Sequence, residues 1–352
     1  MAGSAKQLAF SHIGPGKKEP IGSRRQIVAS RASKKNALVR LSSSSPLVSG
    51  ADEQVFANGD HPDAGSTSLK GGQAYQEDIC ACVPRLEDLV SGDYSTTTSF
   101  FGVFDGHSGD RCAKAIAASL PTLIATQPEF QGAQLGRALA KAFAAADGAW
   151  LQDAERNKLP DGATGVVALV RGGRLYVANV GDARAVLAAQ DKAVRLSFDH
   201  KADHPQERKR VQARGGRVMT AAQAAAEGGA GGPVVDRGGG LRGGGWKADV
   251  GRVNGVLAVS RAFGDRRLRP AVDAEPHLAE RALRPGDHFL LLGTDGLWDV
   301  VDDQDAVDYV AKVVPPRELG AAGSAAELAA LALHWGSPDN ISAMVVDLRR
   351  GG

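Results

Sequence analysis

The sequence predicts an α+β fold of packed layers, and three observations predict it. Apolar runs of strand length come in groups, segments with helix-period apolar stripes separate those groups, and a last strand follows the final helices. That order differs from the regular strand–helix alternation of a parallel sheet. A chain of 352 residues with 43% hydrophobic and 23% charged residues is long and apolar enough to bury a full core without covalent staples.

The globular pattern begins at about Ser66. "QEDICACV" alternates toward a strand, and "SFFGVF" is a second, more buried one. In "DRCAKAIAASLPTLI", Cys112, Ile116 and Leu120 recur every four residues beside Ala113 and Ala117, which predicts a helix. A second helix follows in which Leu135, Leu139, Phe143 and Trp150 share one face. "TGVVALVRGGRLYVANVGDARAVLAA" supplies three apolar runs, with Gly172-Gly173 expected to close one hairpin and Gly181-Asp182 the next. "HPQERKRVQARGG" reads as a short polar helix stopped by its glycines, and His200 and His204 beside it read as surface or loop residues. "AAQAAAEGGAGGPVVDRGGGLRGGG" is low complexity; with no strand before it and no GK[ST] it reads as an inserted surface loop, about residues 220–246, rather than a phosphate cradle. Then "HFLLLGTDGLWDVV" is a buried run, "DQDAVDYVAKVV" and "AAELAALALHW" are helices, and "SPDNISAMVVDL" ends in a strand.

Residues 1–50 hold nine Lys/Arg and one acid, Glu19, so a head of net charge +8 precedes a body of −6 in a chain of +2 overall. A mildly acidic body argues against nucleic acid as the partner. The Ser- and Gly-rich basic segment, residues 1–65, predicts a disordered tail, with a plastid transit peptide as the alternative. No apolar stretch approaches the length of a membrane span. Cys80, Cys82 and Cys112 form neither an even disulfide framework nor a zinc-spaced pair, which favours a reducing intracellular compartment, cytoplasmic or nuclear. A monomer is expected.

Glu77-Asp78, Asp105, Asp182, Asp295, Asp299 and Asp339 all lie at strand ends or in the loops beside them. One Asp-Gly at a strand tip is an ordinary turn. If the strands pack face to face, however, these ends converge on one rim, where unpaired carboxylates repel and pay for desolvation. A cation relieves both costs. Aspartates with almost no Cys or His around them make a hard oxygen site suited to Mg²⁺ or Mn²⁺ rather than zinc. Two such ions sharing an aspartate can lower the pKa of a bridging water and hold phosphoryl oxygens.

"QED", "FGVFDGHSG", "GATGVVALV", "LYVANVGDARAVL", "DHKADHPQERKRVQARGGRV", "NGVLAVSRAFGD", "GTDGLWDV" and "SPDNIS" stand in this order along the chain. In that set the chain closely resembles the metal-dependent protein serine/threonine phosphatases of type 2C, over about residues 66–349. The resemblance implies a four-layer α-β-β-α sandwich with two central, mainly antiparallel sheets flanked by helices, forming a catalytic domain over 66–350. It implies hydrolysis of phosphoserine and phosphothreonine in proteins with two Mg²⁺ or Mn²⁺ ions. Asp105 would bridge both ions, the Gly106 carbonyl would bind one, and Asp295 and Asp339 would complete direct ligation. Glu77 and Asp78 would act on the bound waters or directly, and Asp182, Asp295 and Asp299 would hold a weaker third ion. His107 would protonate the leaving oxygen. Arg261, Asp265, Asn179 and Thr164 read as structural contacts, and residues 219–253 match the family's flap beside the active site, lengthened here by the Gly/Ala insertion.

The chain departs from the family at Gln73, where an arginine usually grips the substrate phosphate. A charge-assisted hydrogen bond is worth roughly 1.5–3 kcal/mol, so its loss should weaken catalysis about 10- to 100-fold without abolishing it. Lys70 is a candidate substitute for that charge. Gln76 stands for the usual methionine and Ala202 for the usual proline. The competing reading is a weak or inactive phosphatase-like protein that binds a phosphoprotein or a kinase; retention of Asp105, Asp295 and Asp339 argues against it.

Overall fold

The structure is a computed structural model that describes residues 52–56 and 61–350, except 93, 133, 221, 222, 224, 225 and 227–249. The expected tail up to residue 51 and most of the 220–246 insertion lie outside the described residues.

The first strands are β1 (Asp52–Phe56), β2 (Asp63–Leu69), β3 (Asp78–Val83) and β4 (Thr98–His107). Helices α1 (Arg111–Ala125) and α2 (Leu135–Asn157) follow, then β5 (Gly162–Arg171), β6 (Arg174–Val180), β7 (Arg184–Ala189) and β8 (Lys192–Arg195). Next come α3 (Pro205–Ala213) and the short strands β9 (Val218–Met219), β10 (Arg252–Val253) and β11 (Phe263–Gly264). The chain continues through β12 (His277–Ala282), β13 (Asp287–Gly293), α4 (Asp295–Trp298), α5 (Asp303–Lys312), α6 (Pro316–His334) and β14 (Ile341–Asp347). One of the two sheets thus begins at β1, so that strand and the start of β2 fall inside the stretch 1–65 read as tail.

The two large sheets run β1-β2-β14-β13-β7-β8 and β12-β6-β5-β4-β3, with every strand pair antiparallel. Three apolar cores make the layers. Phe101, Val103, Val166 and Val177 of one sheet meet Leu187, Leu290, Leu292 and Val346 of the other in the middle. Alternate residues of the same strands, Phe100, Phe104, Val167 and Leu169, face away from that core and bury Ile116 and Leu120 of α1 and Leu139 and Phe143 of α2. On the far side, Leu291, Phe289 and Val345 pack against Val307 and Val310 of α5 and Leu328 and Leu331 of α6. The predicted α+β fold, with two antiparallel sheets between helices, is therefore the observed one.

The sequence reading fails at one connection. Gly181-Asp182 does not close a hairpin: β6 pairs with β5 and β12, whereas β7 pairs with β13 and β8, so residues 181–183 step from one sheet to the other. The cause is burial, since β6 after Arg174 and all of β7 are buried, and a continuous apolar run cannot say which neighbour it will pair with. The step needs Gly181, whose φ is +81° and whose Cβ would lie 2.4 Å from that of Thr164. It also delivers Asp182 to the edge between the sheets.

His200 lies in a loop as read, but not at the surface: it is buried at 1% exposure. Nδ1 lies 3.1 Å from the Gly181 carbonyl, and the ring packs against Phe198, which also faces His204 and His277. Burial, helped by Arg261, pulls the His200 pKa down to about 3 and lowers that of His277 as well. Between pH 6.5 and about 3 the unfolded chain therefore binds protons on these imidazoles that the folded chain refuses, and stability falls as the pH falls. A melting series from pH 7 to 4.5 should lose about 2–3 kcal/mol on this account. Substituting His200 by Gln should flatten the profile, and an unchanged slope would contradict the assignment.

Candidate active site

Five strand ends supply the acidic residues. The β3–β4 register puts Asp78 opposite Asp105, and the β4–β5 register puts His107 opposite Gly162. Asp182 follows β6, Asp295 opens α4 two residues after β13, and Asp339 lies two residues before β14. Asp105, Asp182 and Asp295 converge: each offers an oxygen within 4.8 Å of the other two.

Asp78 lies buried beside them. Its Oδ2 accepts hydrogen bonds from Ser342 Oγ at 2.8 Å and Thr294 Oγ1 at 3.0 Å, while Oδ1 is buried without a hydrogen-bond partner. Asn340 ties the 70–77 loop to the segment before β14: Nδ2 donates to the Lys70 and Tyr75 carbonyls at 2.7 and 2.9 Å, and Oδ1 accepts the Glu77 N–H at 2.8 Å. Glu77 is placed by this contact. The Glu77 carbonyl in turn accepts the Gly106 N–H at 3.2 Å. Only glycine fits at 296, where a Cβ would sit 1.9 Å from the Asn340 carbonyl oxygen.

The electrostatics of the group ask for a cation. Burial, and then the charges of Asp78, Asp295, Asp182 and Asp339, push the Asp105 carboxyl well above the usual carboxylate range. Burial and Asp182 do the same for Asp295, against the pull of Lys201. Burial outweighs the hydroxyls of Ser342 and Thr294 and pushes Asp78 up to about 7. An all-oxygen donor set with an unpartnered buried oxygen fits a hard divalent metal ion, and Asp105, Asp182 and Asp295 are the residues that could hold one.

Asp299 lies outside this inner group and is exposed. Between it and Asp182 stands Lys201, whose Nζ contacts Asp182 Oδ2 and lies 3.9 Å from Asp299 Oδ1. Lys201 sits within the quoted "DHK" stretch, which carried the resemblance but suggested no role for the lysine. Two further residues refine the sequence reading. Gln73 donates from Nε2 to Asp339 Oδ1 at 2.8 Å, so its amide faces a carboxylate of the site. Lys70 is exposed and joins the site through its backbone, where its carbonyl accepts the Gln73 N–H and Asn340 Nδ2.

His107 pairs with Asp265: Nε2 lies 2.8 Å from Asp265 Oδ2, and the aspartate is 8% exposed. Burial works against protonation of the imidazole, but the charge and hydrogen bond of Asp265, with the charges of Glu77 and Asp182, together raise the His107 pKa. Gly162 makes room for the pair, since a Cβ there would lie 2.2 Å from Asp265 Oδ2 and 2.4 Å from His107 Nε2. Asp265, read from sequence as structural, thus touches a residue predicted to be catalytic. No sequence signal links positions 158 apart; only the fold does. Arg261, by contrast, pairs with buried Glu207, and Asn179 braces Phe198, both structural as expected.

Among the described residues no helix is long and apolar enough to cross a membrane. Comparison with known proteins matches residues 63–226 and 240–341 to the protein phosphatase 2C family model. The probable protein phosphatase 2C 55 of Oryza sativa subsp. japonica is 36% identical over 274 residues, 76% of this chain and 64% of that protein. The probable protein phosphatase 2C 69 of Arabidopsis thaliana is 36% identical over 282 residues, 80% of this chain and 69% of that protein. Among related rice and Arabidopsis proteins the chain spans between 50% and 78% of their length. In fold it resembles a serine-threonine phosphatase 2C from Toxoplasma gondii, with a TM-score of 0.66 at 24% identity, over 84% of this chain and 98% of that one.

Proposed function

The chain belongs to the protein phosphatase 2C family, and from that premise we propose that it hydrolyses phosphoserine and phosphothreonine monoesters in proteins, using Mg²⁺ or Mn²⁺. The observation that carries the proposal is the convergence of Asp105, Asp182 and Asp295 beside the unpartnered Asp78 oxygen. When bound, a pair of divalent ions supplies an activated water and positive charge for the phosphoryl oxygens.

The chain's own residues do the rest. Asp105, Asp295, Asp339 and the Gly106 carbonyl would hold the ions, with Glu77 and Asp78 behind them and Asp182 beside Asp105 and Asp295. Ser342 and Thr294 hold Asp78 in one orientation, and Asn340 fixes the loop before Glu77. Asp265 engages His107 Nε2, which leaves Nδ1 to deliver a proton to the departing serine or threonine oxygen. Partners are phosphoproteins met by a monomer, and the three free thiols support a reducing intracellular compartment.

The test is phosphate release from a phosphothreonine peptide in Mn²⁺, with EDTA as control. Release that needs the metal supports the proposal. No release from folded, metal-saturated protein would overturn it in favour of a phosphoprotein-binding role.

Gln73 gives a further prediction. Arginine at this position adds a charge-assisted contact to the phosphate, so Gln73→Arg should raise kcat/KM about 10-fold or more. Lys70→Ala should weaken substrate binding if Lys70 now supplies that charge. An unchanged KM would remove Lys70 from the site.

A further inference from the structure

We propose that the ammonium of Lys201 is a built-in cation that fills the outer position between Asp182 and Asp299, so that divalent ions bind only in the inner group around Asp105 and Asp295. The inference rests on the metal-dependent reading of the site and concerns how many ions that site takes. Its first support is contact: Nζ touches Asp182 Oδ2, lies 3.9 Å from Asp299 Oδ1, and also feels the charge of Asp295.

The second support is the tether. The backbone on both sides of Lys201 is pinned, His200 N–H to the Gly181 carbonyl at 2.9 Å and Ala202 N–H to the Ala258 carbonyl at 2.7 Å. The Lys201 carbonyl accepts the His204 N–H at 3.1 Å, and the residue itself forms a bridge with Val259. One of these pins, Gly181, is the residue before Asp182. Lysine and aspartate are therefore fixed to the same short stretch of backbone, and the ammonium does not have to search for its carboxylate.

Electrostatics is the third support. A divalent ion using Asp182 and Asp299 would have to displace the ammonium or sit beside it, and like charges at contact distance in a partly buried setting repel strongly. Asp182 is 4% exposed, so its charge is poorly served by water and well served by a lysine that arrives with the fold. Of the three residues expected to hold a weaker third ion, Asp182 and Asp295 belong to the inner cluster with Asp105, and this lysine lies between Asp182 and Asp299.

The experiment is calorimetric titration of the full chain with Mn²⁺, which counts ions without turnover. Wild type is compared with Lys201→Met, which keeps the length of the side chain and removes its charge, and with Lys201→Arg, which keeps the charge. Lys201→Met should take up one more ion than wild type, or bind its weakest ion about tenfold tighter, a difference of about 1.4 kcal/mol. Lys201→Arg should behave as wild type. Equal stoichiometry and affinity in wild type and Lys201→Met would overturn the proposal. Should Lys201→Met fail to fold, Asp299→Asn in the Lys201 chain gives the answer: no ion should be lost, and loss of one would overturn it. A wild type that binds no Mn²⁺ would defeat the metal-dependent reading, while an ion gained by Lys201→Met alone would still support the role of the lysine.

Discussion

Asp105→Asn is expected to abolish metal-dependent phosphate release, by at least about 10³-fold or ~4 kcal/mol of transition-state stabilisation, while the chain stays folded. The carboxylate lies within the group formed with Asp182 and Asp295, and the register sets it against Asp78. An amide keeps the shape but removes the charge that would hold a divalent ion there. Stability should move the other way. Asp105 is held far above its usual range by burial and by four neighbouring carboxyls, so the folded site without metal is strained by its own charge. In EDTA the variant should melt no lower than wild type and a few degrees higher. In Mn²⁺ the order should reverse, because only a chain that binds the ion gains stability from it. Melting both proteins in both buffers checks this, and an Asp105→Asn protein that melts far below wild type in EDTA would mean that Asp105 is a structural residue.

Asp265→Asn should lower kcat about 10²-fold on a phosphothreonine peptide and far less on an aryl phosphate. A departing alkoxide needs the proton that an oriented imidazolium supplies, an effect typically worth 10²–10⁴-fold, whereas a phenolate leaves without it. Asp265 is within hydrogen-bond distance of His107 and raises its pKa, so it acts as a positioning residue through the histidine. The ratio between the two substrates separates this from general damage, which would slow both alike. Equal losses on both would count against the role.

The fold was legible where periodicity had one interpretation. Helices α1, α2, α3 and α5 appear where their stripes or caps placed them, and β3, β4 and β14 where short apolar runs met polar ends. Pairing was less legible. The β6–β7 connection was misread because strands buried on both faces carry no alternation to show which sheet they join. In the site, the acidic residues announced themselves by recurring at strand ends, a local signal. Their supports did not. Thr294, Ser342 and Asn340 are ordinary polar residues until the sheet brings them to Asp78 and the 70–77 loop, and Asp265 meets His107 only through β11 pairing with β5. Lys201 was hidden for the opposite reason: it stands inside a quoted motif, and its meaning lies in the partner it reaches.

The position of β14 has a consequence for the life of the chain. Strand β14, late in the sequence, is inserted between β2, an early one, and β13, and Asp339 and Asn340 arrive with it. Domains generally begin to organise while their C-terminal portion is still being synthesised. Until β14 is made, one sheet has a gap between β2 and β13, Asn340 does not clamp the Glu77 loop, and Asp339 is not in place beside Gln73. A chain truncated before β14 is therefore expected to release no phosphate, however well its other strands have formed.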